Sequence, residues 1–419
     1  MLRSAVLRPV IAVAGLLLIF GAAAGAFFWL RGSGPSDPIS RAAAPFGYDL
    51  VGWEWRHLAN RWLYRIGHVF DGGPSAQEKN DLVRRYFALA DEVASLQRDE
   101  IAGNMTVQVP LAEKRREQQS LENKVESILE ERLTRVLEEQ GLTTSLPLFS
   151  SVRFVFPPVD FEFDRPPAVL AVSPREEIRL ERAILLRSGL SEEDESSLEE
   201  KTAATGVSSL VVDIHAVAFY PSAIPTDSSY ESTLDSIAHE WLHQYFFFHP
   251  LGRSYFRDNE TRTLNETAAN IGGRELGRLL AERFPLDNDA SSSASATPQP
   301  APQTPKIDFR KEMHDLRVQV DTLLGQGKVQ DAETLMEDRR KFLAENGYYI
   351  RKINQAYFAF NGLYADTPAS VSPIGTKMAE LRKDSPSLGE FLRAISGITS
   401  ERGLDGLLAR SQGQTLTPP

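Results

Sequence analysis

The first pattern along the chain is an uncharged one. Residues 9–30 carry no ionisable side chain and are bracketed by Arg8 and Arg31. About 20 apolar residues at 1.5 Å each cross a bilayer core, so 9–30 predicts a single transmembrane helix. Arg3, Arg8 and the terminal amine precede it, which puts the N-terminus in the cytoplasm by the positive-inside bias. The body is then periplasmic or extracellular and meets the lipid bilayer through that helix. A cleaved signal peptide is the rival, because Ala24-Gly25-Ala26 offers a small-residue cleavage site. The apolar run continues through Phe27, Phe28, Trp29 and Leu30, which favours the anchor. Both readings export the body.

Gly, Pro, Ser and Ala dominate 31–46, a tether. Trp53, Trp55, Trp62 and Tyr64 then crowd together, as a packed helix would need. Residues 76–102 and 111–141 have a charged, helical pattern broken at Pro110. Leu121, Val125, Ile128, Leu133 and Val136 recur at helical spacing, which predicts a helical hairpin. The period shortens over 147–222. Val152, Phe154 and Phe156 alternate, as do Phe161 and Phe163, and Leu210-Val211-Val212-Asp213-Ile214 reads as a further strand. The acidic run 191–201 reads as a solvated loop or helix start. Helices follow at 232–248 and 262–284. Ser, Ala, Thr, Pro and Gln fill 287–306, a disordered insert by composition. Two helices hinged at Gly325-Gln326-Gly327 span 308–346, another spans 348–364, and a small helical region closes the chain. The fold class is α+β, predominantly helical: a small antiparallel or mixed sheet packed on the 232–248 helix, with helical hairpins before and after.

Composition narrows the chemistry. The 419 residues include 46 basic and 57 acidic side chains, a net charge of −11, and no cysteine. Nucleic acid is excluded as a main partner, since no basic footprint exists for phosphates. Disulfides, thiolate metal sites and cysteine nucleophiles are excluded outright. Any metal must be held by His, Asp or Glu.

One segment supplies such ligands. His239-Glu240-Trp241-Leu242-His243 is an HExxH sequence, and residues i and i+4 share one helix face, so two imidazoles converge on one ion. The glutamate between them reaches a metal-bound water and serves as its base. Leu234, Ile237, Ala238, Trp241, Leu242 and Tyr245 give this helix an apolar face. Ser232-Thr233-Leu234-Asp235 carries cap signals and Pro250 a stop. Without a metal, the pattern reads as two core histidines. Zinc needs a third protein ligand and an open fourth position. Downstream lies Thr263-Leu264-Asn265-Glu266-Thr267-Ala268-Ala269-Asn270. Glu266 and Glu260 are the carboxylates on offer there, and Thr263-x-x-Glu266 also fits a capping box.

HExxH followed by an Asn-Glu-x-x-Ala helix resembles the gluzincin zinc metallopeptidases, a group that includes thermolysin-like proteases and zinc aminopeptidases. The match covers 230–284 only. It implies one Zn2+ per chain on His239, His243 and Glu266, Glu240 as general base, and peptide-bond hydrolysis in a peptide or protein substrate. Thermolysin-like members place an aspartate one turn after the glutamate ligand; here that position is Asn270. The metzincin pattern is absent, since His249 does not complete it. Gluzincins also draw an oxyanion donor from a later helix. Asn354, Tyr357, Asn361 and Tyr364 share a face of 348–364 at spacings of 3, 4 and 3, and Tyr357 is the choice for that catalytic role. This stripe reads equally as a solvated face. Arg351 reads as a substrate-carboxylate clamp or a surface arginine, and His215 as structural. The strand at 209–219 is the natural edge for an extended peptide.

The chain then divides into a cytoplasmic tip (1–8), transmembrane anchor (9–30), tether (31–46), helical region (47–146), zinc-peptidase core (147–286), insert (287–306), C-terminal helical subdomain (307–400) and tail (401–419). Two other functions stay open: a non-catalytic membrane-anchored scaffold with a vestigial zinc site, and a zinc hydrolase acting on an ester or a cell-wall cross-link. The sequence does not define the oligomeric state.

Overall fold

The computed structural model describes residues 37–50, 52–53, 74–146, 149–214, 216–286 and 307–413. The anchor expected at 9–30, Trp55, Trp62, Tyr64, His215 and the 287–306 insert lie outside them. No described helix is long and apolar enough to cross a membrane. The described chain is predominantly helical with small sheets, as its periodicity predicts.

Helix α1 (Pro38–Ala43) starts on Asp37, whose carboxylate accepts from the Ile39 and Ser40 amides at 3.0 and 3.1 Å. Arg182 forks onto the same carboxylate at 2.8 and 3.2 Å. Arg182 and Ser40 hold the Asp37 carboxyl well below the usual carboxylate range. Its stabilisation is therefore complete above about pH 4 and lost as pH falls further. Asp37→Ala is expected to lower stability at pH 7 by about 0.5–2 kcal/mol. The gap should shrink in acid, as read from urea midpoints at several pH values.

Helix α2 (Ala76–Ile101) is followed by a 3-10 turn, α3 (Gln108–Gln119) and α4 (Glu122–Glu139). The break expected at Pro110 falls earlier, at Gly103 with φ 95°. Pro110 sits inside the first turn of α3, where a missing N–H costs little. Strands β1 (Thr144–Leu146) and β2 (Phe149–Phe154) pair antiparallel. β3 (Phe161–Phe163) comes next, then β4 (Ala168–Pro174) and β5 (Arg182–Leu186). The acidic run forms α5 (Glu192–Ala203), capped by Ser191. β6 (Val207–Asp213) and β7 (Ser222–Ile224) complete the strands.

The sheet differs from expectation in placement. β5-β4-β6 form a three-stranded antiparallel sheet, while β3 and β7 pair in parallel. The larger sheet does not carry the HExxH helix. One face, through Ala168, Leu170, Val172 and Val211, packs on Ile39 of α1 and Leu198 of α5. Its other face, through Ala171 and Leu210, packs on a later helix at Ala356 and Ala359. The small β3–β7 pair is the one that joins the core of the HExxH helix, through Phe161, Phe163 and Ile224.

That helix is α6 (Tyr230–Phe247), followed by a single turn α7 (Pro250–Arg253) and by α8 (Asn259–Arg283). α9 (Phe309–Gly325) and α10 (Val329–Glu345) form the expected hairpin, with Gly327 at φ 73° in its turn. After α11 (Gln355–Asn361) come α12 (Ile374–Asp384), α13 (Leu388–Ser396) and α14 (Glu401–Ser411). The last replaces the tail expected from 401: Ser400 caps it, and Leu404 and Leu408 are buried. The expected subdivision also changes. α9 and α10 pack on their own cluster of Met313, Leu316, Met336 and Leu343 with Phe358. α12–α14 instead share one core with α2, α4, α6 and α8.

Candidate metal centre

Helix α6 begins at a Ser229 cap, one turn ahead of the predicted start, where the Ser229 hydroxyl accepts from the Ser232 amide at 3.2 Å. Its apolar face is buried as predicted, with Leu234, Ala238, Trp241 and Leu242 at 0–1% exposure. Two polar groups fix its rotation. Trp241 Nε1 donates to the Pro157 carbonyl at 2.9 Å, and Gln244 Nε2 donates to the Phe219 carbonyl at 2.6 Å and Ser222 Oγ at 2.8 Å. With that face held in the core, His239 and His243 project together toward α8.

Helix α8 starts at Asp258, which accepts from the Thr261 amide at 2.8 Å. Glu266 is thus the eighth residue of the helix, past its second turn and beyond the reach of capping, and the capping-box reading is excluded. The two helices meet closely because α8 is flat where α6 crosses. A Cβ at Gly273 would lie 2.9–3.0 Å from His239 Cβ, Cα and N, and one at Gly277 would collide with Asp235.

The three expected ligands come together. His239 Nε2 and His243 Nε2 are 2.9 Å apart, and Glu266 Oε2 stands 3.8 and 3.4 Å from them. Three ligands of one tetrahedral zinc, each 2.0–2.2 Å from it, stand about 3.3 Å apart. The donor set therefore fits such an ion with little adjustment, and the three atoms form one group within 4.8 Å. His243 Nδ1 lies 2.6 Å from Asn265 Oδ1, a bond that leaves Nε2 free to ligate. Burial opposes charge on His243, but Glu266, Glu240 and Asn265 outweigh it and push the imidazole up to about 9. Burial likewise raises Glu266, yet the two histidines hold it well below the usual range. Cation uptake here competes with a proton.

Glu240 is buried at 6% exposure beside the histidines and makes no hydrogen bond to another described residue. Burial pushes its carboxyl up, partly offset by His239 and His243. Two tyrosines complete the surroundings. Tyr255 Oη donates to Glu266 Oε1 at 2.6 Å. The Tyr364 ring lies 6.4 Å from that of His239, and burial together with Glu266 raises its phenol well above the ordinary value.

Other expected residues lie elsewhere. The helix expected over 348–364 is only α11, because Asn354 caps it through the Tyr357 amide and it ends at Gly362. The stripe is thereby broken. Tyr357 packs beside Phe358 and against the sheet and α9–α10 clusters, and burial alone raises its phenol. Tyr364, in the turn after α11, takes the place beside the ligands. Asn270 donates to Asp366 at 3.1 Å, and the Ala365 amide donates to Thr267 Oγ1 at 3.0 Å, which pins the segment carrying Tyr364 to α8. Glu260 accepts from the Glu401 amide at 2.7 Å and serves the start of α14. His249 packs at a tilt against Tyr245, with ring centroids 4.4 Å apart and planes 44° from parallel.

Arg351 is a structural residue. It pairs with Glu199 and donates to the Val211 carbonyl at 3.1 Å. Glu199 accepts from the Val211 amide at 2.7 Å, and Asn354 donates to the Ser209 carbonyl at 2.9 Å. These side chains close the outer edge of β6, so a peptide cannot add there as expected. Asn265, Tyr255 and Tyr364 are the site residues that spacing did not assign. Asn265 adjoins a ligand in sequence, whereas Tyr255 carries no sequence signal at all.

Comparison with family models, curated proteins and solved structures gives no match for this chain.

Proposed function

We propose that the protein is a zinc-dependent metallopeptidase of gluzincin type, tethered to a membrane by residues 9–30 with its body periplasmic or extracellular. One observation carries this reading: two imidazole nitrogens and one carboxylate oxygen stand at the edge lengths of a small tetrahedral ion, with an uncommitted carboxylate, Glu240, beside them. His239, His243 and Glu266 would hold the ion. Bound there, zinc supplies Lewis acidity, polarising a carbonyl and lowering the pKa of coordinated water to about 7.

The chain supplies the rest. Glu240 accepts the proton of the attacking water on its carboxylate and passes it to the leaving amine. Asn265 holds His243 in one ring orientation and tautomer. Tyr364, rather than Tyr357, would donate to the oxygen that gains charge as the carbonyl becomes tetrahedral, a role supported by its ring lying beside that of His239. A mixed imidazole–carboxylate set without thiolates suits zinc.

The test is a diverse peptide mixture incubated with the full-length protein, with and without a chelator, and read by mass spectrometry. Chelator-sensitive cleavage and about one zinc per chain are expected. Bound zinc without any cleavage would favour the scaffold reading, and no metal uptake would remove the site.

A further inference from the structure

Glu266 divides its two oxygens between different partners. Oε2 faces His239 Nε2 and His243 Nε2 at 3.8 and 3.4 Å, while Oε1 takes the Tyr255 hydroxyl at 2.6 Å. An O–H···O contact of that length is of the strong, charge-assisted kind. It ties up the oxygen that a larger or more highly coordinated cation would use as a second ligand.

The phenol is firmly placed. α7 follows directly on the end of α6, with the His249 amide donating to the Phe246 carbonyl at 2.8 Å. Gly252 sits so close to the Phe246 carbonyl that a Cβ there would collide with it. The Tyr255 amide donates to the Gly252 carbonyl at 3.1 Å, and Thr261 Oγ1 donates to the Ser254 carbonyl at 2.7 Å. Tyr255 is thus tied to α6 behind it and α8 ahead. Its ring stands edge-on to His243, with centroids 6.3 Å apart.

We infer that Tyr255 is a positioning residue that makes Glu266 a one-oxygen ligand and so biases the centre toward small four-coordinate ions over manganese or calcium. The inference rests on the metal reading above. Without the phenol, Oε1 is free to turn to the ion. Coordination number rises, affinity for zinc falls, and discrimination against manganese weakens.

The experiment uses the purified full-length protein and its Tyr255→Phe variant, both stripped of metal and reloaded with Co2+. Four-coordinate cobalt absorbs far more strongly in the visible than five- or six-coordinate cobalt, so the spectrum reports the ligand count. Phe keeps the ring contacts, and an unshifted thermal melt checks the fold. A strong band is expected in the wild type and a much weaker one in the variant. The variant should also show a zinc dissociation constant higher by about 10–100-fold in chelator competition and a raised ratio of manganese to zinc uptake. An unchanged cobalt band with unchanged zinc affinity in the variant overturns the role of Tyr255 and leaves the metal site standing. A wild type that takes up no cobalt and no zinc overturns both.

Discussion

If the proposed peptidase mechanism operates, Glu240→Gln is expected to lower peptide turnover by about 10²–10⁴-fold, the usual contribution of a positioned general base, while metal uptake and fold stay unchanged. The ligands are the neighbours of Glu240, and its own carboxylate makes no hydrogen bond to another described residue. The amide has nearly the same volume, so packing is preserved. It also removes a buried negative charge that desolvation already disfavours, so stability should hold or rise slightly. What the amide cannot do is accept a proton at neutral pH. The measurement pairs kcat on a substrate found in the peptide mixture with metal content per chain. Near-normal kcat at full zinc occupancy would remove Glu240 from the mechanism.

Gly273→Ala should destabilise the protein, although alanine is the better helix former. In an exposed helix interior the exchange gains up to about 1 kcal/mol. Here the added methyl meets the backbone of His239 at about 3.0 Å, and a backbone cannot rotate away. Overpacking of this kind costs about 1–3 kcal/mol, so the net sign reverses. The helices must separate, and separation carries Glu266 away from the two imidazoles. Loss of zinc affinity should therefore accompany the lower melting temperature. Gly325→Ala, where nothing lies within 4 Å of the added Cβ, is the matched control and should be tolerated. Equal melting temperatures and zinc affinities for Gly273→Ala and wild type would show that the contact of α6 with α8 is not tight.

The centre was legible where chemistry follows from spacing on one helix. The i, i+4 histidines and the apolar face of α6 could be read from residue order, because both depend on a 3.6-residue period, whereas the carboxylate on α8 came only from the resemblance of its Asn-Glu-x-x-Ala segment to the gluzincins. What came from other segments could not. Tyr255 reaches Glu266 from a one-turn connection with no periodicity. The exchange of Tyr357 for Tyr364 arose because Asn354 and Gly362 bound α11 tightly, so a face extrapolated past Gly362 meant nothing. β4 was passed over for a different reason. It is buried on both faces, so Ala168–Pro174 lacks the alternation that marks a half-exposed strand. α14 was missed because Gly403 and Gly406 look like breakers, whereas Gly406 is buried in the helix. At Gly403 an added Cβ would stand 3.0 Å from Ile398 Cβ, a close approach of the kind seen at Gly273.

The closed edges of the three-stranded sheet bear on how the chain reaches its final form. The outer edge of β5 is taken by the segment ahead of it: the Tyr48 amide donates to the Leu185 carbonyl at 3.3 Å and the Arg187 amide to the Phe46 carbonyl at 2.7 Å. The outer edge of β6 is taken by Arg351 and Asn354, which lie 140 and 145 positions after Val211 and Ser209. During synthesis or export the first edge is covered as soon as β5 forms, but the second stays bare until most of the chain has emerged. A product truncated before residue 350 would present β6 as an open template for its own copies. The late segment that brings Tyr364 beside His239 is thus the same one that ends this exposure, so completing the candidate metal centre and protecting the sheet from self-association occur in a single event.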